Sequence, residues 1–222
     1  MNQSKFKDYQ EICIRKLHNG DTFEEVKAYL LSCNNGENIL KNIETELQSY
    51  IEKKNARYEA TKPYWMLISN PTMWGDATDK YEVNELLFNL NSETIQAWKI
   101  NHHTSMERQM KAGELGIIKV SDDKRTKAER TNDDGEIRPL LDSGIYGIFE
   151  VVEDEDGDST YLVNNGDWYV NIRVIDNFYA KGKNISKEIS RELLGDNVYN
   201  SIPSRKIDKK VFDTVIAYVE SK

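Results

Sequence analysis

A chain of 222 residues suits one mid-sized domain with a smaller appendage. Hydrophobic residues make up 38% and charged residues 31%, which permits a core, and no apolar run is long enough to span a bilayer. The net charge of −8 runs against the basic footprint of a nucleic-acid binder, but the charge is segregated. Glu150, Glu153, Asp154, Glu155, Asp156 and Asp158 stand together, whereas Lys124, Arg125, Lys127 and Arg130 cluster and residues 173–210 carry more Lys and Arg than Asp and Glu, so a local basic surface is expected.

Residues 1–60 read as a helical region. Phe6, Tyr9, Cys13 and Leu17 recur at helical spacing up to Gly20. Asp21, with Glu24 three residues on, is the expected N-cap of a second helix carrying Phe23, Val26 and Leu30. After a turn at residues 34–36, a third helix lines Ile39 or Leu40, Ile43, Leu47, Tyr50 and Ile51 along one face. Cys13 and Cys33 fall at apolar positions and read as buried free thiols; with His18, His102 and His103 they make no recognisable zinc spacing. The N-terminus lacks an apolar signal core, so a cytoplasmic protein is expected.

Pro63 opens a different pattern, a domain over residues 61–222. Strands are expected at residues 64–69, 93–100, 116–120, 144–152 and 168–175, the last alternating Trp168, Val170, Ile172 and Val174 on one side. A helix is expected around residues 105–111, ended by Gly113. Another opens at Ile185, Ser186 and Ile189 and ends at Gly195, and a last one is capped by Asp208, with Phe212, Val215, Ile216 and Val219 on one face. Residues 121–143, long, charged and poor in apolar side chains, read as an exposed loop. Short strands with inserted helices and no βαβ rhythm predict an α+β fold with a small β-barrel.

Five motifs in order carry a resemblance: Tyr64-Trp65-Met66-Leu67-Ile68-Ser69-Asn70-Pro71; Trp98-Lys99-Ile100-Asn101 before a helix near Met106; Lys111-Ala112-Gly113-Glu114; Tyr146-Gly147-Ile148-Phe149-Glu150-Val151-Val152; and Trp168-Tyr169-Val170. Residues 63–210 thereby resemble an EVE domain, a PUA-like relative of the YTH domain, over about two-thirds of the chain. The pattern departs at the long segment 121–143 and after Trp98, where Lys-Ile-Asn replaces the Asp-Gly-Val of many members.

The resemblance implies a PUA-like barrel with flanking helices and a pocket for one extruded modified base. Flipping a base costs a few kcal/mol. Stacking on an aromatic ring returns roughly 1–3 kcal/mol, and a buried methyl adds only about 0.8 kcal/mol. Discrimination therefore needs a tight aromatic wall and polar groups at the base edge. Trp98 is the leading wall residue, Ser69 and Asn70 the edge readers, Trp74 a second wall, and Trp168 or Tyr161 a third side. Trp65 reads as core. Lys124, Arg125, Lys127 and Arg130 are the candidate phosphate contacts.

No phosphate loop or nucleophile elbow occurs, and residues 154–165 miss the calcium-loop spacing at Gly157 and Asn165. The expectation is a non-enzymatic reader without metal or cofactor, binding methylated cytosine or methylated adenine, in DNA rather than RNA. The resemblance implies service as the specificity module of a modification-dependent restriction system with a motor or nuclease partner. The alternatives are a reader of modified RNA, and a protein-interaction domain whose pocket is plugged by its own side chains.

Overall fold

The computed structural model describes residues 3–19, 21–100, 110–163, 166–200 and 204–222, with side chains described from residue 7 onward except at 59 and 60. The helix expected near residues 105–111 falls mostly outside them, as do the stop at Gly20, the Phe6 side chain, Asn101, His102, His103, Met106 and Asn165. The chain divides into two compact units, Met1–Lys62 and Pro63–Lys222.

The first unit holds three helices: α1 (Gln3–Asn19), α2 (Phe23–Ser32) and α3 (Gly36–Thr61). Their apolar stripes meet in one core of Cys13, Leu17, Val26, Leu30, Ile39, Leu40, Ile43 and Leu47. Amphipathic helices in a folded protein gain stability mainly from such packing. The N-cap of α2 is Thr22, not Asp21. Thr22 Oγ1 accepts from Glu25 N (3.2 Å), and the Glu25 carboxylate accepts from Thr22 N (2.6 Å), a capping box one residue later than expected. Asp21 accepts instead from Lys16 Nζ at 2.8 Å. Both cysteines are free; Cys13 is buried as expected, which pushes its thiol up to about 11, and Cys33, half-buried, meets the expectation only in part. No helix of the described residues is long and apolar enough to cross a membrane.

The second unit is built on β1 (Tyr64–Ser69), β2 (Gln96–Ile100), β3 (Leu115–Val120), β4 (Gly144–Val151), β5 (Thr160–Leu162), β6 (Trp168–Asn177), β7 (Ile185–Ser186) and β8 (Arg205–Ile207). The helices are α4 (Ala77–Asn89), α5 (Lys187–Leu194), α6 (Asp196–Tyr199) and α7 (Lys209–Glu220), and short 3-10 turns occupy Pro71–Met73 and Ala128–Arg130. The strands form one mixed sheet in the order β2-β6-β4-β3-β1-β8, with β5 beside β6 and β7 beside β4; β1 and β3 are parallel and the other pairs antiparallel. The α+β class is as expected, and the small barrel is seen as one curled mixed sheet, a half-barrel whose described strands end at β2 and β8.

Two irregularities set which side chains face which way. Ile118 pairs with Gly147 but Lys119 with Ile145, so Tyr146 is an extra residue; likewise Ile148 pairs with Asp176 but Phe149 with Val174, so Ile175 is extra. Bulges of this kind bend a strand and increase its twist. Gly147 lies between them, where an added Cβ would meet the Asp176 carbonyl oxygen at 2.6 Å. This accounts for the glycine inside the fourth motif.

Each face of the sheet carries its own core. Trp65, Leu67, Trp98, Ile100, Ile118, Val120, Phe149, Val170, Ile172 and Val174 share the first with Val83 and Leu87 of α4 and with Leu141. Met66, Ile117, Ile145 and Ile148 share the second with Leu194 of α5, Tyr199 of α6, and Phe212 and Val215 of α7. The last helix starts after Asp208, whose carbonyl accepts from Val211 N and Phe212 N although its side chain makes no cap bond.

Helix α4 was not among the sequence expectations. Its signals are local: Asp76 Oδ1 accepts from Thr78 N (2.9 Å) and Asp79 N (3.2 Å), and Val83 and Leu87 stand four apart on the buried face. Two expectations nearby change with it. The strand expected over residues 93–100 begins only at Gln96, because the Asn91 carbonyl oxygen of the side chain holds Glu93 N (2.9 Å) and Thr94 Oγ1 (2.9 Å) in a turn. Residues 121–143 are a mostly exposed loop, as expected, but a docked one. They form a strap docked on α4 through Lys80–Glu129 (2.7 Å), Tyr81–Glu136 (2.6 Å) and Asn84–Pro139 (3.2 Å), with Thr131 bridged to Ile137.

Candidate nucleic-acid interface

Ser69 is the last residue of β1 and continues the side of the strand that carries Trp65 and Leu67. It is 2% exposed, and its main chain is fixed by Ser121 N donating to Ser69 O at 2.8 Å. The chain then turns: Pro71 is buried, Asn70 Oδ1 accepts from Thr72 N (3.2 Å), and Met73 N donates to Asn70 O (2.9 Å). That turn brings the Trp74 indole back over the strand end, where its Nε1 donates to Ser69 Oγ at 3.0 Å. Trp98, from β2, meets it edge to face, with ring centroids 6.4 Å apart and planes at 89°. Three of the expected pocket residues, Ser69, Trp74 and Trp98, are thus brought together.

The corner is closed in this conformation. Trp98 is 8% exposed and belongs to the first core, and Trp74 is partly buried against that core. The Ser69 hydroxyl is engaged by Trp74, and the side-chain oxygen of Asn70 is engaged by the turn it caps.

The third side divides by strand parity. Trp98 pairs with Val170 and Ile100 with Trp168, so Trp168 shares the face of Trp98 and packs partly buried against the first core. Tyr161 pairs with Tyr169, which pairs with Lys99, one residue out of phase with Trp98. Side chains alternate faces along a strand, so Tyr161 lies on the opposite side of the sheet. There it stacks on Tyr169 at 5.8 Å and 16°, and it does not line the Trp98 corner.

The basic cluster also divides. Lys124 and Lys127 are exposed. Arg125 is 3% exposed, with a fully buried ion pair to Asp123 at 2.5 Å. Its guanidinium further donates to Lys80 O (2.5 Å) and to Asn84 Oδ1 (2.7 Å), so it bolts the strap to α4 and has no face for a phosphate. Burial alone would raise the Asp123 carboxyl; the Arg125 guanidinium and the N–H groups of Leu141 and Arg125 outweigh it and hold the carboxyl below its ordinary value. Arg130 is half-buried and donates to Arg138 O at 2.5 Å. The backbone ties the exposed part of this cluster to the aromatic corner, since Lys124 N donates to Thr72 Oγ1 at 3.0 Å.

Other matched motifs prove architectural. Gly113 takes φ +83° in the turn before β3, and the next residue, Glu114, is buried and accepts from Trp65 Nε1 (2.6 Å) and Lys111 N (3.1 Å). Trp65 is wholly buried, as expected of a core residue. The acidic segment is a turn in which Asp154 accepts from Asp156 N, Asp158 N and Asn171 Nδ2; these bonds, chiefly that from Asp158, hold its carboxyl below the ordinary value. A shallow groove of about 480 Å³ along α5 and α6 is lined by Lys187, Glu188, Arg191, Glu192 and Asp196. It belongs to helices covering the second face, away from the tryptophans, and Arg191 in it is already paired with Asp196 at 2.6 Å.

The chain matches no family profile and no curated protein. Among solved structures, that of human THYN1 protein in complex with 5-methylcytosine-containing DNA aligns with 72% of this chain and 99% of its own, at 14% sequence identity and a TM-score of 0.46. That likeness is too distant to carry a fold or a ligand across. The class defined by this architecture is an α+β domain on a curled mixed sheet, with an aromatic corner where the end of β1 and the turn after it meet Trp98 in the middle of β2.

Proposed function

We propose that residues 63–222 are a non-enzymatic reader of a modified base in DNA, methylated cytosine or methylated adenine, of the EVE type within the PUA-like folds. The observation that carries this reading is the meeting of Ser69, Trp74 and Trp98 at one corner, from the end of β1, the turn after it and β2. A base entering there displaces the Trp74 indole. That breaks its bond to Ser69, so that the hydroxyl and the indole N–H both become available to the base edge. Trp98 supplies the stacking face, worth roughly 1–3 kcal/mol. The exposed Lys124 and Lys127 contact phosphate. In this reading the domain is the specificity module of a cytoplasmic modification-dependent restriction system, a motor or nuclease does the cutting, and the three N-terminal helices serve assembly.

The test is binding of the whole chain to matched duplexes carrying 5-methylcytosine, N6-methyladenine or plain bases, and to the RNA equivalents, with Trp98→Phe beside the native chain. Burial of the methyl alone predicts roughly fourfold preference for the methylated duplex. Trp98→Phe should reduce that preference. Equal binding of every oligonucleotide would sink the reading, and preference only among RNAs would move it to RNA.

A second reading, a protein-interaction domain, is favoured by the same Trp74, which fills the corner with the chain's own side chain. It expects indole fluorescence to stay unchanged on adding any oligonucleotide.

A further inference from the structure

Met73 is 80% exposed, the most exposed large apolar side chain among the described residues. Single exposed apolar residues need no explanation by themselves. Met73 differs in where it is held. Its turn is pinned by contacts that do not involve the Trp74 side chain: Asn70 Oδ1 accepts from Thr72 N, Asn70 O accepts from Met73 N, Pro71 is buried, and Thr72 Oγ1 accepts from Lys124 N. The side chain is therefore presented to solvent from a fixed backbone, between the Ser69–Trp74–Trp98 corner and the exposed Lys124.

A base leaving a duplex opens a gap as thick as one stacking step, about 3.4 Å. The gap can be filled by an apolar wedge, and methionine is among the side chains that serve as one. Methionine suits a narrow slot because it is unbranched, flexible and polarizable, and sulfur makes favourable contacts with ring edges. Resting on the modified-base reading above, we propose that Met73 is that wedge: it enters the DNA stack in the space vacated by the extruded base, while the base occupies the Trp98 corner and Lys124 holds the adjoining phosphate. The partner this defines is duplex DNA, since a single strand has no paired stack to refill.

The proposal is tested with the native chain, Met73→Ala and Met73→Leu, on a methylated duplex and on the same methylated strand alone, with plain counterparts of both. Loss of the buried apolar surface predicts on the order of tenfold weaker binding of the methylated duplex by Met73→Ala. Binding of the single strand should be unchanged, and Met73→Leu should retain most of the duplex affinity. A 2-aminopurine beside the methylated base should brighten with the native chain and less with Met73→Ala. Duplex affinity unaltered by Met73→Ala, or an equal loss on the single strand, overturns the wedge while the preference for methylated over plain DNA still stands. If the native chain shows no such preference in either format, the base-reading function fails and the wedge with it.

Discussion

The two faces of the sheet are covered by different chemistry. On the second face, α5, α6 and α7 lay Leu194, Tyr199, Phe212 and Val215 against Met66, Ile117 and Ile145. On the first, α4 contributes Val83 and Leu87, but the strap over it is held by Asp123–Arg125, Lys80–Glu129, Tyr81–Glu136 and Asn84–Pro139. Apolar burial is non-directional and indifferent to pH, whereas charged hydrogen bonds fix geometry and depend on protonation. The aromatic corner and the turn bearing Met73 are tied to the second kind of cover, through Lys124 N on Thr72. The difference teaches that the scaffold and the candidate site can be damaged separately.

The largest effect is expected from Phe212→Ala, at about 3–5 kcal/mol of unfolding free energy, since it empties a buried aromatic position. Denaturant titration should show the loss, and base preference measured where the variant is still folded should be unchanged. A changed preference would mean that the two faces are coupled.

Arg125→Ala breaks a buried pair and leaves Asp123 without its cation, an effect also of about 3–5 kcal/mol. Unlike Phe212→Ala, it should expose residues 121–143 to proteolysis before the rest of the domain. Asp123→Asn with Arg125→Met should recover part of the loss. An Arg125→Ala chain as stable as the native one, with a shallower salt dependence of DNA binding, would return Arg125 to the phosphate contacts.

Acid sharpens the comparison. Lys80 and the Thr126 N–H and hydroxyl hold the Glu129 carboxyl down from its ordinary 4.5 to about 2. A carboxyl whose pKa is lowered by folding contributes stability that is present above its unfolded value and is lost as pH falls through its folded value. The strap should therefore loosen between about 4.5 and about 2. Amide signals of residues 126–130 should titrate with a midpoint near the lower value, while those of β1, which carries no carboxylate, stay in place. Glu129→Gln should abolish that transition.

The smallest effect on the fold is expected from Lys124→Ala with Lys127→Ala, both exposed. Stability should change by less than about 0.5 kcal/mol. The plot of log affinity against log salt should become shallower by roughly 0.9 per lysine that contacts phosphate. An unchanged slope would remove the strap from the interface.

How much of this was legible follows from the range of each interaction. The residue pattern places β1 at its observed bounds, β4 and β6 within two residues of theirs, and the apolar face of the last helix by its period, because alternation and helical spacing are written in neighbouring residues. The second helix is plain from its apolar spacing, but its cap is Thr22 while Lys16 holds the Asp21 carboxylate. Helix α4 is not legible from periodicity because its buried positions include Tyr81 and Asn84, which weakens its apolar stripe.

The sequence by itself determined the change of pattern at Pro63, the strands with clean alternation, and the identity of the aromatic residues available for a site. Only the tertiary structure decided where each of them points. Tyr161 went to the far side of the sheet because strand parity is set by pairing with β6. Arg125 went inward because Asp123, Lys80 and Asn84 converge on it from two elements. Trp74 came onto Ser69 and Trp98 because a buried Pro71 and the Asn70 cap fold the chain back at the end of β1. In each case the deciding contact joins two strands, a turn to a strand end, or the strap to α4, elements that become neighbours only once the domain has folded.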